Sequence, residues 1–255
     1  ELQRAQLIRE VGATCVLDVG ANDGKYASEV RACGFDGRII SIEPLSKPYK
    51  ALSRRAKHDP LWNCVNCAVG DRSTAAVINI ARNYASSSLL PMLDLHEAAA
   101  PDSVYVGTEM VTIRTLDTAV VEFLRPDDAI WLKIDVQGFE RQVLAGAGEV
   151  MRRVVAIELE LSLVPLYGGQ TLYLDMIELA SREGFELTSL SPGFTNHKTG
   201  RVLQFDGVFF RRPTAFSSNA SRSPPGSDRA VAACRPRSCA GTSSSNRSGK
   251  RASTS

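Results

Sequence analysis

The sequence lacks several features that would place it in common classes of protein. No apolar stretch among its 255 residues approaches the length of a membrane span. Its start has no charged segment followed by an apolar run, which is the pattern of a secretory signal peptide. The pair Cys64-x-x-Cys67 has no second cysteine pair that would complete a zinc site. We therefore expect no transmembrane segment and no bound metal.

Neither the cysteine content nor the net charge of the chain points to a specialised class of protein. Six cysteines in a chain of this length favour free thiols over a disulfide framework, which implies a reducing compartment and predicts a cytoplasmic protein. Residues 213–255 contain six Arg and one Lys against one Asp, whereas the whole chain has a net charge of +2. The remainder is mildly acidic, so nucleic acid is not an expected partner.

Composition and patterning divide the chain into two parts. With 44% hydrophobic residues, the chain can bury one α/β core, and periodic apolar patterns continue to Arg212. Residues 213–255 are rich in Ser, Pro, Arg and Gly and show no apolar periodicity. We predict a single domain over residues 1–212 and a disordered basic tail over residues 213–255.

The central motif of the chain is Cys-Val-Leu-Asp-Val-Gly-Ala-Asn-Asp-Gly, at residues 15–24. Its short apolar run, ended by Gly20, predicts a strand buried on both faces. Gly20 and Gly24 frame a tight turn, and Asn22 and Asp23 are candidates to cap the helix that follows. Strand, glycine turn and helix together form the opening of a nucleotide-binding βαβ unit.

The spacing of this motif favours one cofactor over another. Dinucleotide-binding folds use G-x-G-x-x-G to hold a pyrophosphate, whereas here Gly20 and Gly24 are separated by three residues. Asp18, two residues before the first glycine, suits a ligand with a cation and no phosphate, such as S-adenosylmethionine. Glu43, at the end of the second predicted strand, is placed to bind ribose hydroxyls. Because NAD would use the same acid, Glu43 supports an adenosine ligand without choosing between the two.

The remaining elements alternate between strands and helices. Further strands are predicted over residues 38–43, 63–69, 129–135 and 154–161, with a final antiparallel pair at 185–190 and 207–210. Small residues at Ala68 and Val69 would admit an adenine ring. The alternation implies an α/β fold with a doubly wound, mostly parallel sheet.

Two further regions carry candidate functional side chains. The long connection 82–101 contains Ser86, Ser87 and Ser88, and is either a substrate loop or a plain surface loop. Glu158 and Glu160 share one side of their strand and could face the cleft, bind a metal or form buried ion pairs.

The candidates for proton transfer lie near the end of the fourth long strand and in a late loop. Asp135 ends that strand, where open α/β sheets bind ligands, and is the first candidate for a general base. Its alternative is a helix cap or a partner of another site residue. Lys133 points to the same side, as a catalytic group or as half of a structural ion pair. His197 has a suitable intrinsic pKa but sits in a loop, where a histidine is often simply exposed.

Four segments occur in an order that resembles a known family. They are Asp18-Val-Gly-Ala-Asn-Asp-Gly24, Ile42-Glu43-Pro44, Asn66-Cys-Ala-Val-Gly-Asp71 and Lys133-Ile-Asp-Val-Gln-Gly-Phe-Glu140. The chain from Val11 to Arg212 resembles the FkbM family of S-adenosylmethionine-dependent O-methyltransferases. The family pattern usually carries Glu where this chain has Gln137.

This resemblance implies a Rossmann-like class I methyltransferase fold, with seven strands and a final antiparallel strand. The residues expected to bind S-adenosylmethionine are Asp18, Gly20, Ala21, Asn22, Gly24, Glu43, Pro44, Ala68, Val69 and Asp135. Those expected to contact the acceptor are Ser86, Ser87, Ser88 and Glu158. The implied acceptor is a hydroxyl of a sugar, a glycolipid or a natural product. The alternatives are an NAD-dependent oxidoreductase, disfavoured by the absence of G-x-G-x-x-G, and a non-catalytic module that binds an adenosine ligand.

Overall fold

A computed structural model describes residues 2–213 of the chain. The predicted tail, apart from its first residue, lies outside the described residues. Within residues 2–213, none of the helices has both the length and the apolar character needed to cross a membrane.

The secondary structure alternates as the sequence predicts. The helices are α1 (Leu2–Glu10), α2 (Lys25–Ala32), α3 (Ser46–Ala56), α4 (Asp94–Ala99), α5 (Leu116–Val120), α6 (Glu140–Ala145), α7 (Gly148–Met151) and α8 (Tyr173–Arg182). The first six strands are β1 (Cys15–Val19), β2 (Arg38–Ile42), β3 (Trp62–Val65), β4 (Ala68–Val69), β5 (Thr74–Ala81) and β6 (Tyr105–Arg114). The others are β7 (Ile130–Ile134), β8 (Val154–Ser162), β9 (Phe185–Pro192), β10 (Thr195–Asn196), β11 (Arg201–Val202) and β12 (Gln204–Arg211).

Seven strands form the main sheet, in the order β3-β2-β1-β7-β8-β12-β9. The pairs among β3, β2, β1, β7 and β8 are parallel, whereas β12 runs antiparallel to both of its neighbours. From β1 the strands β2 and β3 are added on one side, whereas β7 and β8 are added on the other. This change of direction at β1 creates the switch point where open α/β sheets bind ligands. The predicted fold class, a doubly wound and mostly parallel seven-stranded sheet with a final antiparallel strand, is confirmed.

Helices cover both faces of this sheet, which explains why its central strands are mainly apolar. Every residue of β1, β2 and β7 is buried. On one face, Val16 and Trp131 pack in a cluster with residues of α1, α2 and α3. On the other face, Leu17 and Leu132 pack with residues of α5, α6, α7 and α8. A polar side chain on the central strands is therefore enclosed between a helix layer and the sheet.

The sequence predicts one continuous strand over residues 63–69, and this prediction is wrong. The chain forms β3 and then β4, which belong to different sheets. Between them the Asn66 side-chain amide donates hydrogen bonds to the backbone oxygens of Glu43, at 2.8 Å, and Pro44, at 3.0 Å. These bonds anchor the bend to the end of β2, so the second segment leaves the main sheet. It pairs instead with β6, in a three-stranded sheet ordered β4-β6-β5.

The predicted cap of α2 is also different from the one observed. Gly24, and not Asn22 or Asp23, occupies the N-cap position, with a positive φ of 84°. Asp23 Oδ1 still accepts a hydrogen bond from the Lys25 backbone N–H at 3.3 Å. A Cβ on Gly24 would lie 2.8 Å from Leu52 Cδ1 and 3.1 Å from the Trp62 ring. Glycine is required at this position because α3 packs closely against the turn.

Candidate functional site

A cleft lies at the carboxyl ends of β1, β2, β4 and β7, on the side of the switch point. It encloses about 670 Å³, open space at its mouth included, and we call it the main cleft. Seven of the ten residues predicted to bind the cofactor line it: Gly20, Asn22, Glu43, Pro44, Ala68, Val69 and Asp135. The other three are not among its lining residues, because Asp18 and Ala21 are buried beneath it and Gly24 packs on α3.

The floor of the main cleft is formed where β1 and β7 end side by side. Gly20 has a positive φ of 82°, and a Cβ there would lie 1.8 Å from the backbone oxygen of Asp135. Only glycine allows this approach of the two strand ends. Gly20 therefore brings Asp135 beside the β1 turn.

Glu43 is held firmly at the end of β2. Its two carboxylate oxygens accept backbone N–H bonds from Asn22 and Leu45, each at 2.8 Å. The residue is 5% exposed and lines the main cleft. Burial raises the pKa of Glu43 to about 7, although the two backbone hydrogen bonds act in the opposite direction. Each oxygen retains a further lone pair, which a ribose hydroxyl can use.

The walls of the main cleft are largely apolar. The sequence did not identify this group as part of a site, because its members come from three separate segments: Ile78 on β5, Tyr84 and Leu89 in the connection after β5, and Val136 and Phe139 in the loop after β7. Tyr84 has a positive φ of 60°, which is uncommon for a bulky residue. An apolar slot with few fixed polar groups is the usual form of a small-molecule site.

Beneath the main cleft, a row of polar side chains crosses the sheet on the face covered by α1, α2 and α3. In register, Ser41, Asp18, Lys133 and Glu158 occupy neighbouring positions on β2, β1, β7 and β8. Ser41 donates a hydrogen bond to Asp18 at 3.2 Å, and Lys133 Nζ lies 3.3 Å from Asp18 Oδ1. Burial raises the pKa of Asp18, while Lys133 acts to lower it.

Asp135 lies one position beyond β7 and is the most accessible acid of this group, with 32% of its side chain exposed. Its Oδ2 lies 3.4 Å from Lys133 Nζ, and its Oδ1 accepts a hydrogen bond from Gln137 Nε2 at 2.6 Å. The same amide nitrogen donates to Glu160 at 3.0 Å, and Gln137 Oε1 accepts from the Tyr167 hydroxyl at 2.7 Å. The Gln137 amide nitrogen thus holds Asp135 and Glu160, and Tyr167 in turn holds the amide oxygen.

A second cavity, which we call the polar cavity, lies on the α1 side of Asp135. It encloses about 580 Å³, open space included. Its acidic side chains are Glu29, Asp135, Glu158, Glu160 and Asp206, and its basic side chains are Arg4, Lys25 and Lys133. Asp135 lines both cavities and marks their junction.

Glu158 lies in the wall of the polar cavity, where it takes part in an ion pair. Its Oε1 accepts a hydrogen bond from Arg4 at 2.8 Å. Its Oε2 accepts from the Tyr26 hydroxyl at 2.6 Å and from the Trp131 indole at 3.0 Å. Of the roles considered for Glu158, the structure shows the buried ion pair, and the side chain also lines the polar cavity.

The three serines have different positions. Ser87 lines the main cleft, and its hydroxyl accepts a hydrogen bond from the Ala81 backbone. Ser86 and Ser88 are buried, and Ser88 donates to the backbone oxygen of Gln137 at 2.7 Å. The segment therefore forms one wall of the main cleft and supports the loop after β7, and its contact with an acceptor stays a prediction.

His197 lies in the exposed turn between β10 and β11 and lines neither cavity. The structure does not bring it together with Asp135 in either lining. Cys64 and Cys67 are free thiols, and burial raises the pKa of each to about 11. Within residues 2–213, no three His, Cys, Asp or Glu side chains are grouped to hold a metal ion.

The main cleft fits S-adenosylmethionine in its chemistry. Glu43 presents anchored carboxylate oxygens for a ribose, the apolar wall suits an adenine ring, and Asp135 provides a negative charge for an ammonium or sulfonium group. No cluster of basic side chains that would bind a pyrophosphate lines this cleft among the described residues.

Comparisons with known proteins were made with both sequence and structure. The family model described as the Methyltransferase FkbM domain matches residues 18–187. No curated protein matches the chain.

Three similar solved structures illustrate the structural comparison. For an FkbM methyltransferase from Methylobacillus flagellatus KT, the identity is 15%, the TM-score is 0.46, and the match covers 78% of this chain and 43% of that one. For fibrillarin from Aeropyrum pernix, bound to S-adenosylmethionine, the identity is 12% and the TM-score is 0.45; the match covers 81% of this chain and 73% of that one. For 1,6-didemethyltoxoflavin-N1-methyltransferase from Burkholderia thailandensis, the identity is 11% and the TM-score is 0.43; the match covers 83% of this chain and 78% of that one. The chain thus spans less than half of the length of the FkbM structure.

The family match covers more than half of the chain. It begins at Asp18 and includes the β1 turn, Glu43 and the loop after β7, which are the segments that form the main cleft. The chain belongs to the FkbM methyltransferase family.

Proposed function

We propose that this protein transfers a methyl group from S-adenosylmethionine to a hydroxyl of a sugar, a glycolipid or a natural product in the cytoplasm. The observation that carries the proposal is the position of Asp135, which lines both the main cleft and the polar cavity. A group at this junction can contact a donor on one side and an acceptor on the other.

The donor half of the proposal uses the main cleft. Glu43 accepts hydrogen bonds from the ribose hydroxyls, Ala68 and Val69 leave room for the adenine, and the Gly20 turn receives the methionine end. When bound, S-adenosylmethionine would supply an electrophilic methyl group carried on its sulfonium. The S–CH3 bond breaks on transfer, and the sulfur is left as the neutral thioether of S-adenosylhomocysteine. The chain's own task is to orient the methyl group toward the polar cavity, since positioning provides much of the rate in such transfers.

The acceptor half uses Asp135 as the group that takes the hydroxyl proton. Lys133 and Gln137 hold its two oxygens, which fixes the carboxylate at the junction of the cavities. A general base in such a position typically contributes about 10²–10⁴-fold to the rate. The new C–O bond forms as the proton passes from the hydroxyl oxygen to the carboxylate.

Incubation with methyl-labelled S-adenosylmethionine and a panel of sugar-bearing lipids, free glycosides and hydroxylated natural products tests the function. We expect label in one acceptor class and production of S-adenosylhomocysteine in step with it. Binding of the donor without label transfer to any member of the panel would favour a non-catalytic adenosine-binding module. Preferential binding of NAD would favour an oxidoreductase.

A further inference from the structure

We propose that Tyr167 is a positioning residue for methyl transfer, whose hydroxyl fixes the Gln137 amide that holds the base Asp135. This inference rests on the proposed function and adds to it a residue that lines neither the main cleft nor the polar cavity. Tyr167 lies in the connection between β8 and α8, so it reaches the loop after β7 from a distant part of the sequence.

The backbone of Gln137 has a conformation that is uncommon for its residue type. Its φ is 55°, in the left-handed region that residues other than glycine rarely adopt. Such a conformation persists where the surrounding structure fixes it. Ser88 provides one of these contacts, since its hydroxyl donates a hydrogen bond at 2.7 Å to the Gln137 backbone oxygen. The loop is thus held with the Gln137 side chain beside Asp135, two residues earlier.

The Gln137 amide needs a partner at both ends to keep one orientation. The terminal torsion of a glutamine side chain has broad minima, so a bond at one end alone leaves the amide plane free to turn. Its nitrogen donates to Asp135 at 2.6 Å and to Glu160 at 3.0 Å. At the other end, the Tyr167 hydroxyl donates to the amide oxygen at 2.7 Å. The hydroxyl therefore fixes the direction from which the amide reaches the Asp135 carboxylate.

Tyr167 is itself firmly placed and keeps its proton. The residue is fully buried, and its ring packs edge-on against His96 with the ring centroids 5.0 Å apart. Burial also raises the pKa of Tyr167, so the hydroxyl remains a donor at any pH at which the protein works. A rigid, protonated hydroxyl is suited to hold the oxygen of a neighbouring amide.

The same hydroxyl connects the base to the donor side of the site. Ser87 lines the main cleft, and the Tyr167 hydroxyl lies 3.1 Å from the backbone oxygen of the preceding residue, Ser86. A hydroxyl has a single proton, so the shorter contact with Gln137 is its main bond and the Ser86 oxygen is a secondary acceptor. Tyr167 thus stands between the wall of the donor's cleft and the amide that holds Asp135.

Carboxyl-carbon NMR spectra of protein with isotope-labelled aspartate, saturated with S-adenosylhomocysteine, test this role without an acceptor. Asp135→Asn assigns the Asp135 signal by its disappearance. Tyr167→Phe keeps the buried ring but removes the hydroxyl, and we expect it to move the Asp135 signal because the amide is no longer fixed. Gln137→Met removes the amide and keeps the length of the side chain, so it should move this signal in the same direction and at least as far.

Turnover with methyl-labelled donor and the acceptor that the panel identifies gives the second readout. Tyr167→Phe should lower kcat roughly ten- to a hundredfold, because small displacements of a positioned group have effects of this order. The affinity for S-adenosylhomocysteine, measured by calorimetry, should stay unchanged. In the Gln137→Met background, Tyr167→Phe should lower kcat no further, because the amide through which it acts is already missing.

The matched control is Tyr105→Phe. The Tyr105 hydroxyl donates to the backbone oxygen of Leu90 at 2.8 Å, and within the described part of the chain it makes no bond to the Gln137 amide. This variant should leave both the Asp135 signal and kcat unchanged.

The role of Tyr167 is overturned if Tyr167→Phe binds S-adenosylhomocysteine but leaves the Asp135 signal in place. It is also overturned if Tyr167→Phe lowers kcat by the same factor with and without the Gln137 amide. Should Tyr167→Phe fail to fold, Gln137→Met decides: an unmoved signal or a normal kcat overturns the role. Failure of the parent protein to bind S-adenosylhomocysteine, or to label any acceptor, contradicts the proposed function itself.

Discussion

Lys133 and Asp18 form an ion pair inside the sheet, on the adjacent strands β7 and β1. Lys133 Nζ lies 3.3 Å from Asp18 Oδ1, and the Asp18 residue is fully buried. Within the described residues this oxygen has no hydrogen bond of good geometry, so the ammonium charge is its main compensation. The pair links the fold to the site, because the same ammonium lies 3.4 Å from Asp135.

Loss of the Lys133 charge should destabilise the fold strongly. Lys133→Met leaves the Asp18 carboxylate buried without a counter-charge, which typically costs about 3–5 kcal/mol. The double variant Lys133→Met, Asp18→Asn removes both charges and should recover most of this loss. Urea denaturation of the three proteins measures the free energies of unfolding.

The control for this experiment is Arg182→Met, which breaks the exposed Arg182–Glu178 pair on α8. We expect a change of less than about 1 kcal/mol there, as for most surface ion pairs. If Lys133→Met were as mild as Arg182→Met, the buried pair would not have the structural role assigned to it.

Asp135→Asn should separate catalysis from binding. The change keeps the shape of the side chain but removes its negative charge and basicity. If Asp135 takes the acceptor's proton, turnover should fall by at least about a hundredfold while the affinity for S-adenosylhomocysteine changes little. Kinetics with the labelled acceptor and calorimetry with S-adenosylhomocysteine give the two values, and Asp127→Asn, at an exposed loop position, is the control.

The other outcomes of this substitution are also informative. Weaker donor binding with near-normal turnover at saturation would mean that Asp135 orients the donor's cationic end. Asp135 does not cap α6, whose N-cap is Phe139. Near-normal turnover and affinity together would leave only a structural role, as the partner of Lys133 and Gln137.

His96 should make the fold sensitive to acid. Its ring is buried against Tyr167 and Phe194, its Nδ1 has no hydrogen-bond partner within the described residues, and burial lowers the pKa of His96 to about 4. The folded state prefers the neutral ring. The contribution of His96 to the free energy of unfolding is therefore fully present above the ordinary pKa of about 6.5 and is lost as the pH falls toward 4.

The variant His96→Phe tests this contribution. Relative to the parent, it should gain stability as the pH falls from 6.5 to 4, by about 3 kcal/mol at the lower end. Chemical denaturation at several pH values gives this difference. A difference that is constant with pH would show that the buried ring does not titrate as described.

Donor affinity should depend on pH through Glu43. Its pKa is raised to about 7 by burial, so the carboxyl is protonated at lower pH and loses its capacity as a purely accepting group. Affinity for S-adenosylhomocysteine should therefore decrease as the pH falls through about 7. Glu43→Gln should bind more weakly than the parent at high pH and should not show this dependence. An identical pH profile in both proteins would argue against contact between Glu43 and the ribose.

The fold was predictable because its signals are local in the sequence. The apolar runs of β1, β2 and β7 follow from burial on both faces, and the glycine turn follows from the positive φ of Gly20 and Gly24. The break between β3 and β4 was not predictable, because it depends on hydrogen bonds from Asn66 to Glu43 and Pro44, which are distant in sequence.

The site was predictable only where its residues follow the strands directly. Glu43 directly follows β2 and Asp135 directly follows β7, and both line the main cleft. Arg4 and Asp206 come from the two ends of the described chain, and no local pattern connects them to Asp135. Gln137 lies within the recognised motif, but its bonds to Asp135 and Glu160 depend on the packing of β8 beside β7.

Calorimetric titration with S-adenosylhomocysteine and, separately, with NAD tests the central claim most directly, on the parent protein and on Glu43→Ala. The account predicts that the parent binds S-adenosylhomocysteine and not NAD. It also predicts that Glu43→Ala, with its fold intact, binds roughly ten- to a hundredfold more weakly, because charge-assisted hydrogen bonds to the ribose are lost. Binding of NAD in preference to S-adenosylhomocysteine, or an affinity unchanged by Glu43→Ala, would contradict it.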